Sequence, residues 1–449
     1  MWQQSTIPIG PGRIKRRIRK ALLCSVAAGL CLWALTGCGR GGADDSLVLA
    51  VGGVPAELAA WEKTAADFTA ATGVKVELLR QPADSDQRRQ GLAAALQARQ
   101  ARPDVFLMDI AWVAQFAASG WLSPLDSAAD EADSLPGPDA FPPGAAAAGV
   151  YGGKRLALPV YVDAGLLYYR KDLLARYGYP SPPGTWEEMM DMARRIQEKE
   201  RAADPDFQGY VWQGAQYEGL VCNFLEVAVS AGGGLPRRGS GIAIESESNV
   251  RALALMRGML AGDGISPRET FTGMKEEEAR LHFQKGSALF ERNWPYAWAL
   301  HNQEGSPVRG KTGIAPLPHF PGHGSAAVLG GWLAGVSRYT GNPAAARKLA
   351  GYLVSLPVQK RLALELGWNP GRAEVYSDPE VLSALPHFRE LGGIFSHAVA
   401  RPNLPYWTSL SEILQRHLNA ALAGSLEPRA ALRAADAEAK AAAARYGSR

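Results

Sequence analysis

The chain has 449 residues, 47% of them apolar and 20% charged, with 49 glycines and 30 prolines. That composition supports a sizeable core and excludes both a disordered chain and a collagen-like one. At about 150 residues per domain, the length predicts two or three domains or one large two-lobed unit. The net charge is +4, but Arg13, Lys15, Arg16, Arg17, Arg19 and Lys20 form a basic head with no acid before Asp44. Taking those six from 48 basic residues leaves 42 against 44 acidic, a balance of −2. So neutral a body points away from nucleic acid and from anionic surfaces as partners.

Behind the basic head, residues 21–36 form an uncharged apolar run that ends in Leu35-Thr36-Gly37-Cys38. A charged start, a short apolar stretch and small residues before a boundary predict a secretory signal over 1–37. The run is short for a transmembrane anchor in a ~30 Å hydrocarbon layer. Its LTGC ending resembles a bacterial lipobox, which makes Cys38 the lipidated first residue of the mature chain. Residues 38–46 have the composition of a tether. Cys24 and Cys31 leave with the signal, so Cys222 alone remains in the body, in an apolar run that reads as core. One thiol makes neither an internal disulfide nor a multi-cysteine zinc site.

Along the body, Leu47–Val51 reads as a strand. Leu58, Trp61, Ala65, Phe68 and Thr72 then recur at helical spacing up to Gly73. Val74–Leu79 alternates as a strand, Asp84–Gln100 is a helix capped by Asp84 or Ser85, Val105–Met108 a strand and Ala111–Ala118 a helix. This alternation predicts a parallel, doubly wound α/β sheet, with ligands at the carboxyl ends of its strands. Residues 128–149, rich in Pro, Gly, Ala and Asp, are expected to wrap the surface. Leu156–Tyr169 is β-rich. Helices follow near Lys171–Tyr177, over Trp186–Glu200 with Thr185 as cap, and from Asn342-Pro343 to Ser355. The alanine-rich tail Pro428–Arg445 is helical with few anchors and is expected to pack weakly.

Several tempting motifs fail on context. Gly305–Thr312 matches GxxxxGK[ST], but polar residues precede it and three prolines follow, so no phosphate-binding turn between strand and helix can form. His319 and His323 are separated by Phe-Pro-Gly, which excludes a helical zinc pair, and no metal site or cofactor is expected. The glycine run 232–241 reads as a turn. What stands out is aromatic and acidic residues framed by glycine or proline. Trp294-Pro-Tyr296-Ala-Trp298 alternates three aromatics, Trp332 follows Gly330-Gly331, Tyr161 precedes Asp163 by two, and Tyr406-Trp407 follow Pro405. Sugar rings stack their C–H faces on aromatics, while their hydroxyls need charged or amide partners. Any one of these tryptophans alone reads more readily as core; it is their recurrence in loop-like contexts that points to a ligand.

These segments, together with 50–57, 104–122, 158–174, 211–222, 290–302, 313–332 and 366–372, resemble the extracellular solute-binding proteins of sugar ABC importers, most of all the trehalose/maltose-binding type. The resemblance covers most of the mature chain, weakens at 123–150 and 232–248, and departs at Leu333, where a polar residue would be expected. It implies an α/β fold of two lobes joined by a multi-strand hinge, with sugar bound between them. Residues 46–160 with 316–354 would build the first lobe, and 161–315 with 355–449 the second. It also implies hydroxyl-binding roles for Glu57, Arg88 (or its neighbour Arg89) and Asp109, and a hinge position for Tyr161 and Asp163. Trp294 and Tyr296 would stack on the sugar, Gly330, Gly331 and Trp332 would meet it along one segment, and Arg401 would clamp it.

By the same resemblance the chain is a monomer that captures a disaccharide and delivers it to permease subunits energised by a separate ATPase, with its own anchor in lipid. Two rival readings remain. One is an exported glycoside hydrolase using Asp109 and Asp163, which would need a carboxyl pair roughly 5–9.5 Å apart across the scissile bond. The other is a binding protein of the same build for a polyamine, ion or peptide. A sensory role alongside transport is compatible with either binding reading.

Overall fold

The computed structural model describes residues 46–126, 135–238, 241–262, 264–395 and 397–447. The signal segment, Cys38 and most of the tether lie outside them, as do Cys24 and Cys31. In chain order the principal strands are β1 (Leu47–Gly52), β2 (Val76–Gln81), β3 (Val105–Asp109), β4 (Ala157–Ala164) and β5 (Leu166–Arg170). They continue with β6 (Gln208–Val211), β7 (Ala288–Asn293), β8 (Thr312–Ala315), β9 (Ala327–Val336) and β10 (Ala398–Val399).

The first sheet runs β2-β1-β3-β9, with β4 on the other side of β9 and β10 pairing with its first two residues. β1, β2 and β3 are parallel, as the alternation of strand and helix predicts, and β9 is antiparallel to both β3 and β4. Leu47, Leu49, Val51, Val105 and Leu107 face one core, while Ala50, Phe106 and Met108 face another. Such alternation marks strands buried on both faces. Between these strands lie α1 (Pro55–Thr72), which ends at Gly73 with φ 76°, and α2 (Ser85–Gln97), capped by Asp84 Oδ1 accepting from Gln87 N at 2.9 Å.

The second sheet runs β8-β5-β7-β6. Only Gly165 separates β4 from β5, so the chain passes from one sheet to the other at a single residue. It returns between Ala315 and Ala327, and a third strand of chain crosses where Val162 N donates to Asn369 O and Gly371 N to Val160 O. Around this sheet pack α3 (Trp186–Glu200), α4 (Glu218–Val229), α5 (Glu276–Gln284), α6 (Trp407–Leu422) and α7 (Pro428–Gly447). The capping box at Thr185 and Glu188 forms as expected, and Asn342 caps the helix Pro343–Leu353. Cys222 is buried in α4. Among the described residues no helix is long and apolar enough to cross a membrane.

Three expectations need correction. Residues 135–149 do more than wrap the surface: Pro143–Ala148 is helical, with proline preset for its first turn, and Phe141 and Ala145 are buried. Residues 127–134 lie outside the described set. The tail helix α7 packs closely rather than weakly. Ala431, Leu432, Ala435 and Ala439 are buried in the same core as α6, because alanine lets two helix backbones approach. Finally, the second strand starts and ends two residues later than its apolar alternation suggests.

Candidate functional site

β9 organises the first group of residues. Its Trp332 pairs with Asp109 of β3 on one side and Tyr161 of β4 on the other, and Gly330 pairs with Asp163. The two glycines have separate reasons. Gly331 has φ 132°, and a Cβ there would lie 2.5 Å from Tyr161 O. At Gly330 a Cβ would lie 3.1 Å from the Trp294 ring and 3.3 Å from Asp163 Cβ. The missing side chain lets the Trp294 indole lie against the strand beside Asp163. Leu333 is buried among Phe106, Met108 and Trp112, so it serves the core.

A second group surrounds the start of α1. Glu57 Oε2 accepts from Val54 N at 2.9 Å and its Oε1 from Trp368 Nε1 at 3.0 Å. The Trp368 ring lies 4.2 Å from that of Tyr161, centroid to centroid. Arg88 donates from Nε to Pro82 O at 2.5 Å and holds its guanidinium 4.5 Å from the Trp332 ring. Arg89 instead pairs with Glu412 of α6 at 3.2 Å. The adjacent arginines therefore separate: Arg88 joins the aromatic row and Arg89 does not.

From the second sheet, Trp294 donates through Nε1 to Glu276 Oε1 at 3.3 Å, and Tyr296 through its hydroxyl to Glu277 Oε1 at 2.6 Å. Arg401 bridges the groups. Its Nη2 donates to Asp109 Oδ1 at 2.8 Å and its Nη1 to Glu218 Oε1 at 2.9 Å. Trp407 Nε1 and Ser411 Oγ also donate to Glu218. Lys275 pairs with Asp84 across the same divide.

Burial drives the electrostatics. It pushes the Asp163 carboxyl up to about 7, aided by the negative charges of Glu57 and Asp109 and opposed by Arg292. Burial likewise carries Glu57 up to about 7, against the pull of the Val54 amide, Arg88 and Trp368. It also raises Asp109, which Arg401 draws back. The Asp163 carboxylate accepts no hydrogen bond within the described residues, whereas Glu57 and Asp109 each accept two. The arrangement offers aromatic faces beside carboxylates, one of them without a donor. Among the described residues no three His, Cys, Asp or Glu are grouped to hold a metal.

The eleven residues given binding roles by the resemblance lie on these strands, on α1 and α2, and in the loops beside them. Trp298 turns away to stack on His387 at 4.5 Å, and Trp407 fills the core. Sequence reasoning missed Trp368, although Gly367-Trp368-Asn369-Pro370-Gly371 has the same glycine/proline frame as the others. It also missed Glu218, Glu276 and Glu277, whose partners lie far away in the chain.

The architecture is that of the two-lobed periplasmic sugar-binding proteins. The chain belongs to the bacterial extracellular solute-binding protein family, which it matches over residues 52–360. It is similar to a probable ABC transporter-binding protein of Deinococcus radiodurans, 41% identical over 334 residues, 74% of this chain and 77% of the relative. Among solved structures it is similar to T. maritima MalE3 with maltose bound, at 38% identity and a TM-score of 0.82, covering 88% of this chain and 99% of that one. It is also similar to a Thermotoga lettingae solute-binding protein bound with alpha-D-tagatose, at 27% identity and a TM-score of 0.80, covering 89% and 99%. The chain is accordingly the solute-binding component of an ABC transporter and works outside the cytoplasm, with membrane permease subunits as its partners.

Proposed function

We propose that this chain captures an α-glucosyl disaccharide of the trehalose/maltose type, with sucrose the other member of that set, and hands it unchanged to its permease. The observation that carries this reading is the Trp294 indole lying against Gly330 beside the carboxylate of Asp163, two residues along β9 from the Trp332–Tyr161 pair. A pyranose offers an apolar face for the indole and hydroxyls for the carboxylates. The maltose bound to T. maritima MalE3 lends further support.

In this reading the first lobe spans 46–160 and 316–354, and the second 161–315 and 355–449. Glu57, Arg88, Asp109 and Asp163 take hydroxyls. Tyr161, Trp294, Tyr296 and Trp332 supply apolar faces, Gly330 and Gly331 give backbone access, and Arg401 clamps across the cleft. Sugar gains its full set of contacts only when both lobes reach it, so its binding energy favours the closed form. Cys38 carries the lipid that holds the mature chain at the membrane, as a monomer.

The test is calorimetric titration of the mature chain from Gly39 with trehalose, maltose, sucrose and glucose, followed by recovery of the sugar. Tight one-to-one binding of a disaccharide recovered intact is the expected result. Silence across the panel would remove the α-glucosyl ligand, and recovery of monosaccharide would restore the hydrolase.

A further inference from the structure

An acid in the middle of an apolar helix needs a buried partner. In α4 that acid is Glu226, 2% exposed, and its partner is Arg292 of β7, 0% exposed. Glu226 Oε2 accepts from Arg292 Nε at 2.9 Å and Oε1 from Nη2 at 2.5 Å, while Arg292 Nη1 donates to Gln213 Oε1 at 3.2 Å. A fully buried pair of this kind is weak evidence for stability, since well-packed apolar residues often do as well. What it touches is more informative.

Glu226 Oε1 also accepts from Val328 N at 3.0 Å, where the returning chain enters β9. A Cβ at Gly165, the single residue between β4 and β5, would lie 2.1 Å from Glu226 Oε1 and 2.7 Å from Arg292 Nη2. The pair therefore sits against two of the crossings between the sheets. On its other side the Arg292 guanidinium lies 3.8 Å from the Trp294 ring. That ring in turn rests against Gly330, two residues beyond Val328. Crossing, ion pair, indole and β9 form a closed circuit of contacts.

We propose that Glu226 and Arg292 are positioning residues that fix the Trp294 indole relative to the strand crossings. They act through the planar face of Arg292 and the Val328 amide, without touching the ligand. The link to binding rests on the sugar reading above; the link to the indole does not.

The test uses 15N-tryptophan-labelled mature chain without ligand, with the Trp294 indole resonance assigned by its loss in Trp294→Phe. The paired variant Glu226→Met/Arg292→Met removes both charges without leaving either one buried alone. It is expected to fold with a lowered unfolding temperature, because the buried Val328 amide loses its acceptor, to move the Trp294 resonance, and to weaken disaccharide binding about tenfold or more. Arg292→Lys, which keeps the charge but loses the flat fork, serves if the paired variant does not fold, and the same shift and loss are expected. A Trp294 resonance unmoved in the folded variant overturns the proposal. So does wild-type affinity in a variant whose resonance has moved. A wild-type chain that binds no sugar would count against the sugar reading alone, and the resonance would still decide the role of the pair.

Discussion

Asp163→Asn isolates the charge of a carboxylate that has no donor to lose. Folding raises this group from 3.8 to about 7, mainly through burial and then through Glu57 and Asp109. Below about pH 4 both the folded and unfolded chains hold the proton and nothing is lost. As pH rises the unfolded chain ionises first, so stability falls until about pH 7 and is level beyond it. At 1.36 kcal/mol per unit, the three-unit span sets a ceiling of ~4 kcal/mol. Partial exposure and coupling to Glu57 reduce this to ~1–3 kcal/mol. In a chain of this size that is a shift of about 1–4 °C. The assay is thermal unfolding of wild type and Asp163→Asn, without sugar, from pH 4.5 to pH 8. The two should converge at the acid end, with the variant melting higher at pH 8. Parallel curves, or a variant less stable at pH 8, would refute the burial argument.

Trp294→Ala should weaken disaccharide binding by ~1–3 kcal/mol, on the scale of ring stacking, while the melting temperature changes little. An equal loss of fold would make the indole core. Lys275→Met removes a partly exposed ion pair to Asp84. It should cost no more than ~1 kcal/mol of affinity and flatten the dependence of affinity on salt, read by titration at low and high ionic strength. Cys38→Ser should yield an unlipidated chain in the soluble fraction; a variant that stays on the membrane without lipid would refute the lipobox reading.

The first half of the larger sheet, like several helices beyond it, is legible because the local sequence carries its own period and end signals. Asp84, Thr185 and Asn342 cap the helices they precede, and Gly73 stops α1. The insertion of β9 between β3 and β4 is not legible. Its partners lie more than 150 residues away, and a local apolar run with two glycines does not say which edge it will join. The same limit governs the site. Trp294, Trp332 and Tyr161 are visible through their glycine and proline frames, whereas Glu218 looks like any acid at a helix start until Arg401, Trp407 and Ser411 converge on it. Glu226 left a trace that could have been read, a lone charge inside LVCNFLEVAV, where the apolar neighbours demand a partner.

The Asp163 carboxylate, raised by burial in the free protein, is also one that a hydroxyl donor would stabilise as its anion, and this makes ligand binding and proton binding competitors. Donors to a carboxylate favour its anion, so a sugar hydroxyl on Asp163 must lower the pKa from about 7. Binding then releases a proton at any pH between the bound and free values. Affinity should rise with pH, by up to about one decade per unit, and level off above about pH 7. Glu57, raised to about 7 by burial, shares the titration, so the release belongs to the pair of carboxylates. Titration of the disaccharide at pH 6.5 in two buffers of unlike ionisation enthalpy counts the protons directly. A release approaching one proton, abolished or halved in Asp163→Asn, is the expected outcome. No release, or an affinity that falls as pH rises, would mean that sugar hydroxyls do not reach Asp163.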